Sequence, residues 1–184
     1  AQKDVAFNDK SFLESSIDNY RRALALQPKS QEIRSSYLFA LAQNSFDSSN
    51  YLVEAKKFGN IINKGVKVFD DDASIYGKEE KIRLGFVSGD LSNHPVGYFL
   101  KSFVPHIDQK LFKLHAYYTG INHDDTTDEL KRYFEWRPIH RSDDASAAKK
   151  IRDDRVDILF DLSGHTRGHR LSLFVRKPAP LQVS

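Results

Sequence analysis

The sequence predicts an α/β fold, a doubly wound parallel sheet preceded by a small array of α-helices. Two observations carry this. From Leu13 to Ile62 apolar side chains recur at spacings of three and four, the period of a helix face. Beyond Lys81 the pattern changes to short apolar runs that alternate with amphipathic segments and end in polar, Gly-containing loops, as expected of strands joined by right-handed helical crossovers.

In the first part, Leu13, Ile17, Tyr20 and Leu24 share one face. Ser11 and Glu14 have capping-box spacing at the start, and Pro28 closes the segment. A second helix is predicted from Ser30, with Ile33, Tyr37 and Leu41 on its stripe, fading at Asn44-Ser45. A third follows Ser48-Ser49, uses Leu52, Ala55, Phe58 and Ile62, and stops at Asn63-Lys64-Gly65. The stretch YRRALALQP, Tyr20 to Pro28, resembles the second helix of a tetratricopeptide repeat; read by itself it is equally an amphipathic helix ending at a proline. A terminal repeat needs a neighbour to cover its open face, and the chain holds no methionine even at position 1, so further sequence upstream of Ala1 is expected. Residues 66–80 lack a period and read as a connector with a boundary near Tyr76-Gly77, dividing the chain into a helical part (1–77) and a sheet part (78–184).

In the second part, Ile82 to Val87, Leu111 to Tyr118 and Val156 to Leu162 are predicted strands, with a short one at Trp136 to His140. Phe112, Leu114, Ala116 and Tyr118 share one face of the second strand. Helices are predicted at Pro95 to Ile107, Thr126 to Phe134 and Asp143 to Arg152.

Composition narrows the class. Hydrophobic residues make up 40% of the 184, aromatics 12% and charged residues 29%, a balance that builds a core rather than a disordered chain. No apolar run is long enough to cross a bilayer, no signal-peptide pattern opens the chain, and a cytoplasmic location without membrane attachment is expected. The absence of cysteine excludes a disulfide scaffold, a thiolate nucleophile and a cysteine-ligated metal. Basic and acidic residues number 11 and 12 over residues 1–80, and 17 and 13 over 81–184. That surplus suits an anionic ligand and is too small to imply nucleic-acid binding.

In an open parallel sheet, ligands sit outside the carboxyl ends of the strands. Four of the seven histidines fall in the predicted loops there: His94, His123, His165 and His169. His94 stands between a polar loop and a helix that Pro95 can open at its first position. Imidazole titrates near ~6.5, so such a residue can take a proton from a hydroxyl or simply cap the helix. His165 and His169 have the four-residue spacing of a helical metal pair, with Asp161 or His94 as third ligand; no glutamate is near to act as base, and Gly164 and Gly168 point instead to tight turns, so no metal is expected. Arg167, Arg170, Arg176 and Lys177 form a basic cluster whose plain reading is a solvated face. The P-loop GxxxxGK(S/T), a GxGxxG after the first strand and the GxSxG elbow are all missing, which removes the enzyme classes they mark.

The segments KIRLGFVSGDLSNHPVGYFL (Lys81 to Leu100) and DILFDLSGHTRGHRLSLFVRKPAPLQVS (Asp157 to Ser184) resemble the O-linked N-acetylglucosamine transferase family, most nearly its bacterial and plant-like members. In that family tetratricopeptide repeats lead into a catalytic region of two Rossmann-like lobes, and the helical remnant, connector and first strand follow in the same order here. The resemblance implies inverting transfer of N-acetylglucosamine from UDP-GlcNAc, as donor substrate with no cofactor, to Ser or Thr hydroxyls of proteins. It places the proposed catalytic histidine at His94 and makes Gly164, His165 and Thr166 candidates for contacts to sugar or acceptor. Where the family often has Arg-Pro-Ala-Pro, this chain has Lys177-Pro178-Ala179-Pro180. Most uridine-diphosphate contacts, including a lysine at the leaving group, belong to the family's second lobe, after the position of Ser184, so the chain alone is expected to be inactive. Related enzymes transfer glucose to Asn, so donor and acceptor rest on the resemblance. Expected partners are protein or peptide acceptors, the sugar nucleotide and other copies through the tetratricopeptide-like helices. The alternative is a tetratricopeptide binding module or scaffold without catalysis.

Overall fold

The structure, a computed structural model of the 184-residue chain, describes residues 2–43, 48–70 and 80–184. It divides into two compact units, residues 1–65 and 66–184. The connector's boundary predicted near Tyr76-Gly77 lies outside the described residues, as does the end of the second helix at Asn44-Ser45.

The first unit holds α1 (Gln2–Leu26), α2 (Gln31–Gln43) and α3 (Ser48–Asn63), α1 packing on α2 and α2 on α3. Ile17, Leu24, Tyr37, Ala40 and Leu41 form its core, with Leu13, Tyr20, Ile33 and Tyr51 against it. Two expectations need correction. Helix α1 does not begin at the Ser11 box, because residues 2–10 hold neither Pro nor Gly and the helix runs on through them. On α3 the inward stripe passes through Glu54, Phe58 and Ile62, whereas Leu52 is exposed. Glu54 is buried because it pairs with Arg34 of α2, whose guanidinium also donates to the Pro28 carbonyl oxygen (2.9 Å). At the start of α2 the Ser30 hydroxyl accepts from Ile33 N–H (3.3 Å), and Gly65 follows α3 at φ 72, the left-handed conformation that ends a helix.

The second unit is a five-stranded, all-parallel sheet of order β3-β2-β1-β4-β5: β1 (Ile82–Ser88), β2 (Phe112–Tyr118), β3 (Glu135–Pro138), β4 (Ile158–Asp161) and β5 (Leu181–Val183). This is the nucleotide-binding-type order, and it reverses between β1 and β4. Helices α4 (Pro95–Phe103) and α5 (Asp125–Lys131) bring Leu100 and Leu130 onto the face formed by Phe86, Leu114, Ala116 and Tyr118. Helix α6 (Asp144–Asp153) and the short α7 (Leu171–Phe174) bring Ala147, Ala148, Ile151 and Leu173 onto the opposite face, against Val87, Tyr117 and Leu159. Between the strands Gly85 is so closely packed that a Cβ there would lie 2.8 Å from Leu159 and 2.9 Å from Val156.

The predicted strands and helices are present with ends displaced by a few residues; the helix predicted to reach Ile107 turns at Val104 into a short 3-10 turn. Helix α7 and β5 were not predicted. Four and three residues are too few to show a period, and Pro178 and Pro180 obscure the edge strand beside them.

Candidate functional site at the carboxyl edge of the sheet

The loops after β1 and β4 leave the two strands that flank the reversal of strand order, where an open parallel sheet offers a crevice. Backbone contacts draw the loops after β1, β2 and β4 together. A Cβ on Gly120 would come within 2.2 Å of the Gly89 carbonyl oxygen, Thr119 N–H donates to the Ser88 oxygen (2.9 Å), and the Thr119 hydroxyl donates to the Gly168 oxygen (3.1 Å).

The loop after β1 ends at His94, the N-cap of α4, with extended backbone (φ −150, ψ 152) and Pro95 behind it. Its side chain is exposed, and its Nδ1 accepts from Val96 N–H at 3.3 Å. With Nδ1 so engaged, the neutral ring carries its proton at Nε2 and presents a donor outward. Removing a proton from a hydroxyl through Nε2 therefore requires the ring first to release the cap. The loop before His94 is held from two sides. The Ser92 carbonyl lies against Gly97, where a Cβ would stand 2.1 Å from the Ser92 oxygen, so only glycine permits this approach. Asp124, the N-cap of α5, accepts from Asn93 N–H through Oδ2 (2.7 Å) and from Thr127 N–H through Oδ1 (3.0 Å), while the buried Thr127 hydroxyl reaches the Leu91 oxygen (2.9 Å). Those N–H donors, Asn93 foremost, hold the Asp124 carboxyl below the usual carboxylate range. Sequence reasoning missed Asp124, although an Asp three residues before Thr127 at a helix start was its signal.

The loop after β4 starts at Asp161, buried at the end of its strand. Its carboxylate accepts from Ser163 N–H (3.0 Å), Gly164 N–H (3.0 Å) and the Ser184 hydroxyl (2.9 Å), so it closes a turn. Gly164 and Gly168 have φ of 53 and 81, the left-handed region that glycine adopts without strain. The Thr166 hydroxyl donates to the Ser163 oxygen (2.8 Å). His165 and His169 stand edge to face with ring centroids 5.9 Å apart. Burial lowers the pKa of both, and His169 lowers that of His165 further, so both favour the neutral form. Among the described residues no three His, Asp or Glu side chains converge in metal-ligating geometry. Arg170, which the sequence suggested was a solvated cation, is instead half-buried. It donates to Asp144 Oδ1 (2.6 Å), the Ile139 oxygen (3.1 Å) and the Ser142 oxygen (2.9 Å), fastening this loop to the start of α6.

The profile of glycosyl transferase family 41 matches residues 49–184, nearly three quarters of the chain. The chain belongs to that family. Among curated relatives, the probable UDP-N-acetylglucosamine–peptide N-acetylglucosaminyltransferase SPINDLY of Oryza sativa subsp. japonica is 28% identical over 175 residues, 91% of this chain and 19% of the rice protein. The UDP-N-acetylglucosamine–peptide N-acetylglucosaminyltransferase of Caenorhabditis elegans is 32% identical over 110 residues, 56% of this chain and 9% of that protein. Among solved structures, a mutant O-GlcNAc transferase of Thermobaculum terrenum superposes with a TM-score of 0.81 at 31% identity, over 92% of this chain and 33% of that one. The chain thus spans less than a fifth of these two curated relatives. No helix among the described residues is long and apolar enough to cross a membrane.

Proposed function

We propose that the chain is the first catalytic lobe, with the preceding helices, of an enzyme that moves N-acetylglucosamine from UDP-GlcNAc to Ser or Thr hydroxyls of proteins. The observation that carries this is the family match over residues 49–184 combined with a sheet whose carboxyl edge, at the reversal of strand order, bears the exposed His94. In the reaction the acceptor oxygen forms a bond to the anomeric carbon as the bond from that carbon to the diphosphate oxygen breaks. The configuration inverts, the hydroxyl proton passes to water or to a phosphate oxygen of the donor, and UDP departs with added negative charge. No metal is required where cationic side chains and helix N-termini stabilise the departing diphosphate. His94 works on the acceptor side, where its outward Nε2–H orients a reacting oxygen; Gly164, His165 and Thr166 shape the facing wall. Helices α1 to α3 read as the end of a tetratricopeptide array that guides protein acceptors and offers a surface for self-association, in a cytoplasmic setting.

The test is incubation of the intact protein with labelled UDP-GlcNAc and a Ser/Thr-rich acceptor, beside the 184-residue chain alone. The expected result is label on the acceptor, at hydroxyls, with the intact protein only. Proximity and leaving-group stabilisation require both walls of the cleft, and losing either costs orders of magnitude in rate. Turnover by the short chain would displace the donor site into residues 1–184, and no transfer by the intact protein would remove the reading.

A further inference from the structure

A second charged concavity lies on the outer side of α6. Lys67, Val68, Phe69 and Asp70 line it with Ala145, Ser146, Lys149, Arg152 and Arg176, enclosing about 480 Å³. Four of the nine side chains are cations and one is a carboxylate.

Each cation has a distinct state. Arg152 is fixed: its guanidinium donates to the Asp70 carbonyl oxygen (2.6 Å) and lies over the Phe69 ring, 5.0 Å from its centroid. Phe69 is anchored through its N–H to the Arg176 carbonyl oxygen (2.9 Å) and packs on the core of this unit. Lys149 pairs with Asp153 (2.6 Å), but both side chains are well over half exposed, so this pair is weak and easily exchanged. Lys67 has no ion pair among the described residues. Arg176 feels Asp143, the N-cap of α6, without an ion pair to it, and its Nε is sealed from solvent with no acceptor among the described residues. A guanidinium Nε sealed from solvent with no acceptor among the described residues is unusual, because its desolvation is left uncompensated.

We propose that this cavity is a binding site for a phosphate monoester, distinct from the cleft at the carboxyl edge of the sheet. The terminal Nη atoms of Arg176 take the phosphoryl oxygens, Lys149 and Lys67 supply converging charge, and Arg152 is already held in place at the rim. Val68, Phe69 and Ala145 provide an apolar wall for the organic part of the ligand, and the volume falls in the range of small-molecule sites, ~300–1,000 Å³.

The experiment is calorimetric titration of the 184-residue chain at low ionic strength with inorganic phosphate, a sugar monophosphate and the unphosphorylated sugar. Phosphate and the sugar phosphate are expected to bind saturably, and the bare sugar not at all. A sugar phosphate at least tenfold tighter than phosphate assigns the apolar wall to the organic part, and equal affinities assign the site to free phosphate. Arg176→Gln should weaken binding tenfold or more. Lys149→Gln changes an exposed residue and leaves folding intact, and it should weaken binding a few-fold, while Lys110→Gln, on the exposed turn before β2, changes nothing. Absence of saturable phosphate binding would overturn the proposal. So would unchanged affinity in the Lys149→Gln and Arg176→Gln variants, or an equal loss in Lys110→Gln.

Discussion

The loops after β1 and β4 leave neighbouring strands at the same edge of the sheet, yet they present their histidines in opposite ways. The first exposes a single imidazole at a helix cap and invests its contacts in the backbone behind it: Ser92 against Gly97, Asn93 on Asp124, Thr127 on Leu91. The second tucks His165 and His169 against each other, where burial lowers the pKa of both, and fastens itself through Asp161 and Arg170. On the proposed function, the imidazole that meets a large protein acceptor has to stand outside on a rigid support. A pair that shapes a wall can be partly buried. On the proposed function, one edge therefore offers a reactive side and a structural side.

The largest loss of stability that can break this contrast is expected at the structural side. Arg170→Ala leaves the Asp144 carboxylate and two carbonyls without their donor, and denaturant unfolding should show a cost on the order of 3 kcal/mol. Arg170→Lys should recover less than half of it, because one ammonium cannot reach three acceptors in a plane. A cost below ~0.5 kcal/mol, the range of ordinary surface substitutions, would mean that the loop is not fastened there.

Burial within the sheet supplies a reference for the two partly buried loop histidines. His115 on β2 is 2% exposed, both its ring nitrogens lack a hydrogen-bond partner among the described residues, and burial pushes its pKa down to about 4. The unfolded chain takes up that proton near ~6.5, so it binds more protons than the fold does between the two values. Stability should therefore be full above that range and fall as pH drops from about 6.5 towards 4, by up to about 1.4 kcal/mol per pH unit. His115→Phe should flatten this slope in denaturant melts taken across that window. An unchanged slope would shift the effect to His165 and His169, whose pKa values are lowered in the same direction.

On the reactive side the Gly97 contact sets propensity against sterics. Alanine in a helix interior is favoured over glycine by ~1 kcal/mol, but here its Cβ would meet the Ser92 oxygen. Gly97→Ala should therefore destabilise, by about 1–3 kcal/mol; a rise in melting temperature would contradict the packing described. The smallest effect belongs to Asp124→Ala, read by amide hydrogen exchange: the Asn93 and Thr127 amides should lose protection while the β1 amides keep theirs. Asp124→Asn should restore Thr127 more than Asn93, since asparagine still caps a helix.

The sequence showed the sheet and its helices because Ile82–Val87, Leu111–Tyr118 and Val156–Leu162 are long, apolar and separated by helical periods. It placed His94 at a helix start through the Asn-His-Pro step. It did not show what holds that step. Asp124 and Asn93 are 31 residues apart and meet only once β1 and β2 pair, and the Gly97 requirement is a backbone approach with no signature in residue type. Arg170 read as a surface cation because its three acceptors lie at Ile139, Ser142 and Asp144, a contact that composition cannot anticipate. On α3 the stripe was right at Phe58 and Ile62 and wrong at its start: Glu54, not Leu52, took the inward place because Arg34 was there to neutralise it.

The most direct measurement is steady-state transfer by the intact protein with His94→Ala and His94→Asn, alongside affinity for the donor nucleotide. His94→Asn retains an N-cap and should match the wild type in stability, which separates the cap from the chemistry. Both variants should lower kcat by about 10²–10⁴-fold, the scale of a group that handles or orients the reacting proton, with donor affinity within a few-fold of wild type. Near-normal turnover in His94→Asn, or a loss of donor affinity as large as the loss of kcat, would contradict the acceptor-side role of His94.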